Sequence, residues 1–107
     1  MVGDRKRAMK AKQIRDDLLE QLDEKSGQYH LDLIGDYMEF WNTKCLLQAD
    51  VREHGVRIQY VNGRGETAEK KNDSVDQLLK VNAQMIRILQ ELGIKPRLKP
   101  VGEDDAL

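Results

Sequence analysis

Two histidines, a run of carboxylates, a glycine-rich loop and a basic N-terminal cluster are the residues of this 107-residue chain that could do chemistry. His30 and His54 carry ring nitrogens suited to metal binding or proton transfer. They stand at opposite ends of one predicted helix, about 36 Å apart at 1.5 Å per residue, and cannot share a metal within one subunit. Each reads as a surface or helix-end histidine. Cys45 is the single cysteine, so neither an intrachain disulfide nor a cysteine-based metal site is expected. Asp16, Asp17, Glu20, Asp23 and Glu24 have the groups for acid–base work, but Arg15 and Lys25 lie among them. That run fits a solvated face with local ion pairs, and general acid–base chemistry needs a pocket that nothing here outlines. No catalytic residue, metal or cofactor is expected.

Asn62-Gly63-Arg64-Gly65-Glu66 resembles a phosphate loop only in its glycines. It lacks the Gly-Lys-Ser/Thr ending and opens no helix directly, so a nucleotide site is not expected. It reads either as a tight hairpin presenting Arg64 or as a turn whose arginine meets a backbone phosphate or a partner protein. Arg57, Lys70 and Lys71 make the region locally basic. The clearest DNA candidates are Arg5, Lys6, Arg7, Lys10 and Lys12, which could neutralise several phosphates without reading sequence. A merely solubilising basic end is the other reading.

Net charge is −1, which hides a polarity: the N-terminal bases face Asp4 alone, whereas Glu103, Asp104 and Asp105 close the chain without a base. Such ends fit two different partners, one tail that competes with nucleic acid, or two solvated termini. Charged residues make up 35% of the chain and aromatics 5%, a thin supply for a fully buried monomeric core, and oligomerisation is the natural remedy. No apolar run is long enough for a membrane span or a signal peptide, so an intracellular protein is expected.

Three helices and a hairpin must position these residues. A first helix is predicted from about Arg5 to Lys25, with Met9, Ile14, Leu18, Leu19 and Leu22 as a narrow apolar stripe. A second, from about Tyr29 to Glu53, carries Tyr37, Met38 and Trp41 within an apolar arc too wide for one neighbour. Val56, Ile58 and Tyr60 then alternate with polar residues as a short strand. The glycine turn follows, and a weak return strand from Glu66 to about Lys70. A two-stranded hairpin is marginal alone and is expected to pack on helices or to join strands of other subunits.

Asn72, Asp73 and Ser74 offer caps for a third helix, with Ser74 and Gln77 fitting a capping box, and Gly93 and Pro96 end it. Leu78, Asn82, Met85, Leu89 and Leu92 form its expected seam, with coiled-coil spacing and one polar interruption. Both packing within the subunit and pairing between subunits satisfy it.

The stretch from Leu31 to Pro96, about three fifths of the chain, resembles small terminase subunits of tailed bacteriophages. The resemblance rests on the order of three parts: the DYMEFW helix, the HGVRIQYVNGRGE hairpin, and the KKNDSV step leading to NAQMIRILQELGIKP. It implies a non-catalytic protein of viral genome packaging, working in the cytoplasm of a phage-infected or prophage-carrying bacterium. Such proteins form homo-oligomeric rings, bind viral double-stranded DNA and regulate a large terminase subunit that supplies the ATPase and nuclease.

The expected architecture is mainly α, three helices with a β-hairpin between the second and third, assembled as a ring. Residues 1–28 form a basic N-terminal helix, 29–96 a helix-hairpin-helix oligomerisation core and 97–107 a flexible acidic tail. DNA contacts are assigned to Arg5, Lys6, Arg7, Lys10, Lys12 and Arg64. Core or subunit contacts fall to Tyr37, Met38, Trp41, Leu78, Met85 and Leu89, and the contact to the large subunit to Glu103, Asp104 and Asp105. A small helix-turn-helix regulator and a virion adaptor without DNA affinity are the alternative classes.

Overall fold

The most apolar stretch of the chain becomes its longest helix. In the computed structural model, which describes residues 2–24 and 26–94, the order is α1 (Val2–Gln21), α2 (Gln28–His54), β1 (Arg57–Val61), β2 (Thr67–Lys71) and α3 (Asp73–Leu92). Three helices with one antiparallel hairpin between the second and third match the expected set and order of elements within the subunit.

α1 starts three residues earlier than its charge pattern implied and stops at Gln21. A turn ends it: the Ser26 amide donates to the Asp23 carbonyl at 3.1 Å, and the Ser26 hydroxyl accepts from the Asp23 amide at 3.3 Å. Lys25, the expected last residue, lies outside the described residues. α2 opens at Gly27, whose amide donates to His30 Nδ1 at 3.1 Å, so this histidine satisfies backbone at a helix start. The six-residue connection from 22 to 27 and helices of 20 and 27 residues do not make the short helix-turn-helix unit.

The core is narrow. Trp41, Val81 and Met85 form a buried cluster, with Ala11, Ile14, Tyr37 and Met38 packed around it, so one tryptophan joins all three helices. Among the described residues, Leu18, Ile34 and Ile88 are the other buried apolar ones, and Ile34 at 1% exposure is the most deeply enclosed. Each such side chain contributes about 1.5–3 kcal/mol of burial free energy. The radius of gyration is 18.5 Å, against about 13 Å for a compact domain of this length. The chain is elongated around this small core.

Two details depart from the sequence pattern. The buried line of α3 runs through Val81, Met85 and Ile88, while Asn82 is exposed and Leu78, Leu89 and Leu92 are half-buried. Both lines have three-four spacing, so periodicity alone does not choose between them. The cap of α3 is Asn72, one of the three candidates, whose side chain accepts from the Ser74 amide at 3.0 Å; Ser74, expected to open a capping box with Gln77, lies inside the first turn instead. At the other end the Ile94 amide donates to the Leu89 carbonyl and the Gly93 amide to that of Gln90, with Gly93 at φ 72°.

Candidate nucleic-acid interface

The basic start of α1 is an open surface of the fold. Residues 3–10 are exposed without interruption, because the apolar contacts of α1 begin only at Ala11 and Ile14. At about 3.6 residues per turn, Lys6 and Lys10 share one side of the helix and Arg5 and Lys12 another. Positive charge therefore surrounds this end rather than forming one stripe. Arg7 pairs with Asp4 at 3.4 Å and Lys12 with Asp16 at 2.8 Å. Arg5, Lys6 and Lys10 have no ion-pair partner among the described residues, which leaves their charge available to an outside anion.

Lys12 also lies on the rim of an open groove between α1 and α2, lined by Ala11, Arg15, Asp16, Leu19, Met38 and Asn42. The groove mixes two cations, one carboxylate and apolar floor, and it encloses no metal-binding cluster among the described residues.

The hairpin carries Arg64 at its tip. Asn62 builds that tip: its side-chain oxygen accepts from the amides of Arg64 at 2.9 Å and Glu66 at 3.0 Å, and its carbonyl accepts from Gly65 at 3.0 Å. Gly65 has φ 78°, a left-handed conformation that a side chain resists. Register runs from Arg57 opposite Lys71 to Val61 opposite Thr67.

The other local cations are engaged. Arg57 bonds Glu69, Lys71 bonds Asp76 at 2.7 Å, and the Lys70 ammonium sits 5.3 Å from the centre of the Tyr60 ring. The Asp76 carboxylate holds the Lys71 ammonium above its ordinary range. Arg64 is exposed and has no ion-pair partner among the described residues.

Ile58 and Ala68 are the half-buried strand residues, and Tyr60 and Val61 are exposed. The hairpin thus projects from the helices instead of lying on them, and of the two expected supports the helical one is slight. What holds its base is a polar junction that the sequence pattern did not reveal. Asn72, 5% exposed, donates to the Asp50 carboxylate at 3.0 Å and to the Gly55 carbonyl at 2.9 Å, while its own oxygen caps α3. Its amide donates to the Val56 carbonyl at 2.8 Å.

One residue, through its side chain and its backbone amide, therefore ties the end of α2, the residue before β1 and the start of α3. Asp50 also meets His54 Nδ1 at 2.9 Å. Hydrogen bonds from Ser74, Asn72 and His54 hold its carboxyl below the usual carboxylate range. His54 is a member of this junction and His30 of a helix start; neither belongs to a metal cluster among the described residues.

Of the expected core or contact residues, Trp41 and Met85 are buried, and Tyr37, Met38, Leu78 and Leu89 are half-buried. Burial pushes the Tyr37 phenol above its ordinary range. Glu103, Asp104 and Asp105 lie outside the described residues, as does Pro96. No helix among the described residues is long and apolar enough to cross a membrane.

Comparison with known proteins adds one finding. The family model described as phage terminase, small subunit, matches residues 11–99. A search of curated proteins and a search of solved structures gave no match. Lys12 and Arg64 fall inside the matched segment, whereas Arg5, Lys6, Arg7 and Lys10 precede it. With the match spanning the second half of α1, all of α2 and α3, the hairpin and the junction at its base, the chain belongs to the phage terminase small-subunit family and has a role in phage DNA packaging.

Proposed function

We propose that the chain is a non-catalytic packaging protein that assembles with copies of itself into a ring and holds viral double-stranded DNA through cations of many subunits. The observation that carries this reading is the run of exposed residues 3–10, with Arg5, Lys6 and Lys10 unpaired among the described residues. One subunit offers few phosphate contacts and therefore weak binding; linking copies makes later contacts intramolecular and raises avidity. Arg64 adds one exposed cation per copy at the hairpin tip.

Self-assembly draws support from the narrow core, the elongated shape and a hairpin whose faces are barely covered within the subunit. The ATPase and nuclease are assigned to the large subunit, which this chain regulates. Its acidic end, Glu103 to Asp105, is the proposed contact; removing residues 101–107 should abolish stimulation of the motor ATPase and leave assembly intact. Unaltered stimulation rejects that contact.

Replacing Arg5, Lys6 and Lys10 together by Glu tests the DNA reading. Duplex affinity should fall, and the slope of log affinity against log salt should shrink by about 0.9 for each phosphate that the variant no longer neutralises. An unchanged slope removes these residues from the interface, and the absence of any DNA binding by the wild-type chain favours the adaptor alternative.

A further inference from the structure

Asn62-Gly63 is the one place in the chain where an asparagine precedes a glycine, and the hairpin turn sets that pair up for attack of backbone on side chain. Gly63 is exposed, a Cβ there would meet nothing within 4 Å, and its amide donates to no acceptor among the described residues. The attacking nitrogen is therefore unengaged. The Asn62 side-chain oxygen accepts from the Arg64 amide at 2.9 Å and the Glu66 amide at 3.0 Å. The ring closed by the first of these bonds contains the Gly63 nitrogen, so the side chain folds back over it. Both donors polarise Cγ and meet the charge that gathers on its oxygen during attack. Nδ2 of Asn62, the leaving group, donates to nothing among the described residues.

We infer that Asn62 is a site of spontaneous deamidation in the folded chain, which places a carboxylate two residues from Arg64. Water is the only other reactant. The Gly63 nitrogen bonds Cγ as the Cγ–Nδ2 bond breaks, and ammonia leaves with the proton that the Gly63 nitrogen gives up. Water then opens the five-membered imide at either carbonyl. One opening leaves aspartate; the other leaves isoaspartate, with the main chain running through the former side chain.

The other three asparagines are held differently. Asn42 and Asn82 lie within α2 and α3, where the next amide belongs to the helical ladder. Asn72 precedes Asp73, and its side-chain amide is anchored to Asp50 at 3.0 Å and to Gly55 at 2.9 Å. At residue 62 the aspartate product keeps both amide bonds and strengthens them with charge. Isoaspartate instead lengthens the turn between two strands of set register. Either product offsets the Arg64 cation. Resting on the DNA reading, this makes the hairpin contact one that each subunit loses with age.

Peptide mapping by mass spectrometry is the test, on the full chain kept folded at neutral pH over a time course, beside Gly63→Ala. Alanine fits this position, because Gly63 is not one of the glycines at positive φ, but its methyl group crowds the attacking nitrogen. Conversion at Asn62 of the wild type about tenfold or more faster than at Asn42, Asn72 and Asn82, and than at Asn62 of the variant, supports the site; tenfold is the barrier change of about one hydrogen bond. An Asn62 that keeps its amide in the folded chain yet converts in urea overturns it, since the turn then shields the pair. Equal rates at all four asparagines overturn it too. The four-site comparison needs no variant and decides if Gly63→Ala fails to fold.

Asn62→Asp, titrated with duplex DNA at several salt concentrations, separates the site from its consequence. A smaller salt slope than that of the wild type supports loss of the Arg64 contact. An unchanged slope beside conversion at Asn62 overturns Arg64 as a DNA contact while the modification stands.

Discussion

Asn72 does more for this fold than its type or position announces. It caps α3, bonds Asp50 and Gly55 through its side-chain amide, and joins Val56 through its backbone. Asn72→Ala leaves the part-buried acceptors and the helix start without their donor and cap and should cost about 1–2 kcal/mol in denaturant unfolding. A loss below about 0.5 kcal/mol contradicts the role, since that is the scale of an indifferent surface change. Asp50 predicts a pH effect of definite sign. Its carboxyl titrates lower in the folded chain than in the unfolded one, so its contribution is present above the ordinary carboxylate range. It is lost as pH falls through the depressed folded value. Asp50→Asn should therefore flatten the acid limb of stability against pH, and an unaltered limb contradicts the assignment. None of this was legible from local pattern: Asn72 showed as one of three possible caps, but its bond to Asp50 spans 22 residues and leaves no periodic trace.

At the scale of elements, the helices and the hairpin follow from apolar spacing and from glycine. The three-four spacing of Tyr37, Met38 and Trp41, the alternation of Val56, Ile58 and Tyr60, and Gly63 and Gly65 between the strands each specify the element that forms. Which seam of α3 turned inward was not legible, because Leu78 and Met85 satisfy two overlapping heptads and only the face of α2 decides between Val81 and Asn82. The hairpin tip yields a prediction here. Gly65→Ala places a side chain at φ 78° and should destabilise the loop by about 1 kcal/mol or more, visible as faster amide exchange in β1 and β2. Exchange no faster than in the wild type shows that the turn adopts another conformation. Trp41→Ala removes the side chain that joins the helices and should cost about 3–5 kcal/mol in unfolding; a loss under about 1 kcal/mol contradicts its place at the centre.

Across the whole molecule, the basic pole of the sequence becomes an exposed helix end, beside a narrow three-helix core and a projecting hairpin whose Arg64 has no ion-pair partner among the described residues. The residues proposed for DNA divide between a segment the family match includes, with Lys12 and Arg64, and a preceding one that holds Arg5, Lys6, Arg7 and Lys10. Membership of the family was legible in the sequence, from the order of helix, hairpin and helix between Leu31 and Pro96. The surface of the proposed self-assembly is not legible there, because an interface depends on the angle at which two copies meet.

The central claim is that many weakly binding copies act on DNA as one body. Sedimentation of the full chain with and without duplex DNA, at low and at high salt, tests it most directly. The account predicts one multimeric species at both salt concentrations that co-sediments with duplex at low salt and releases it at high salt. A monomer that leaves duplex sedimentation unchanged at low salt contradicts it.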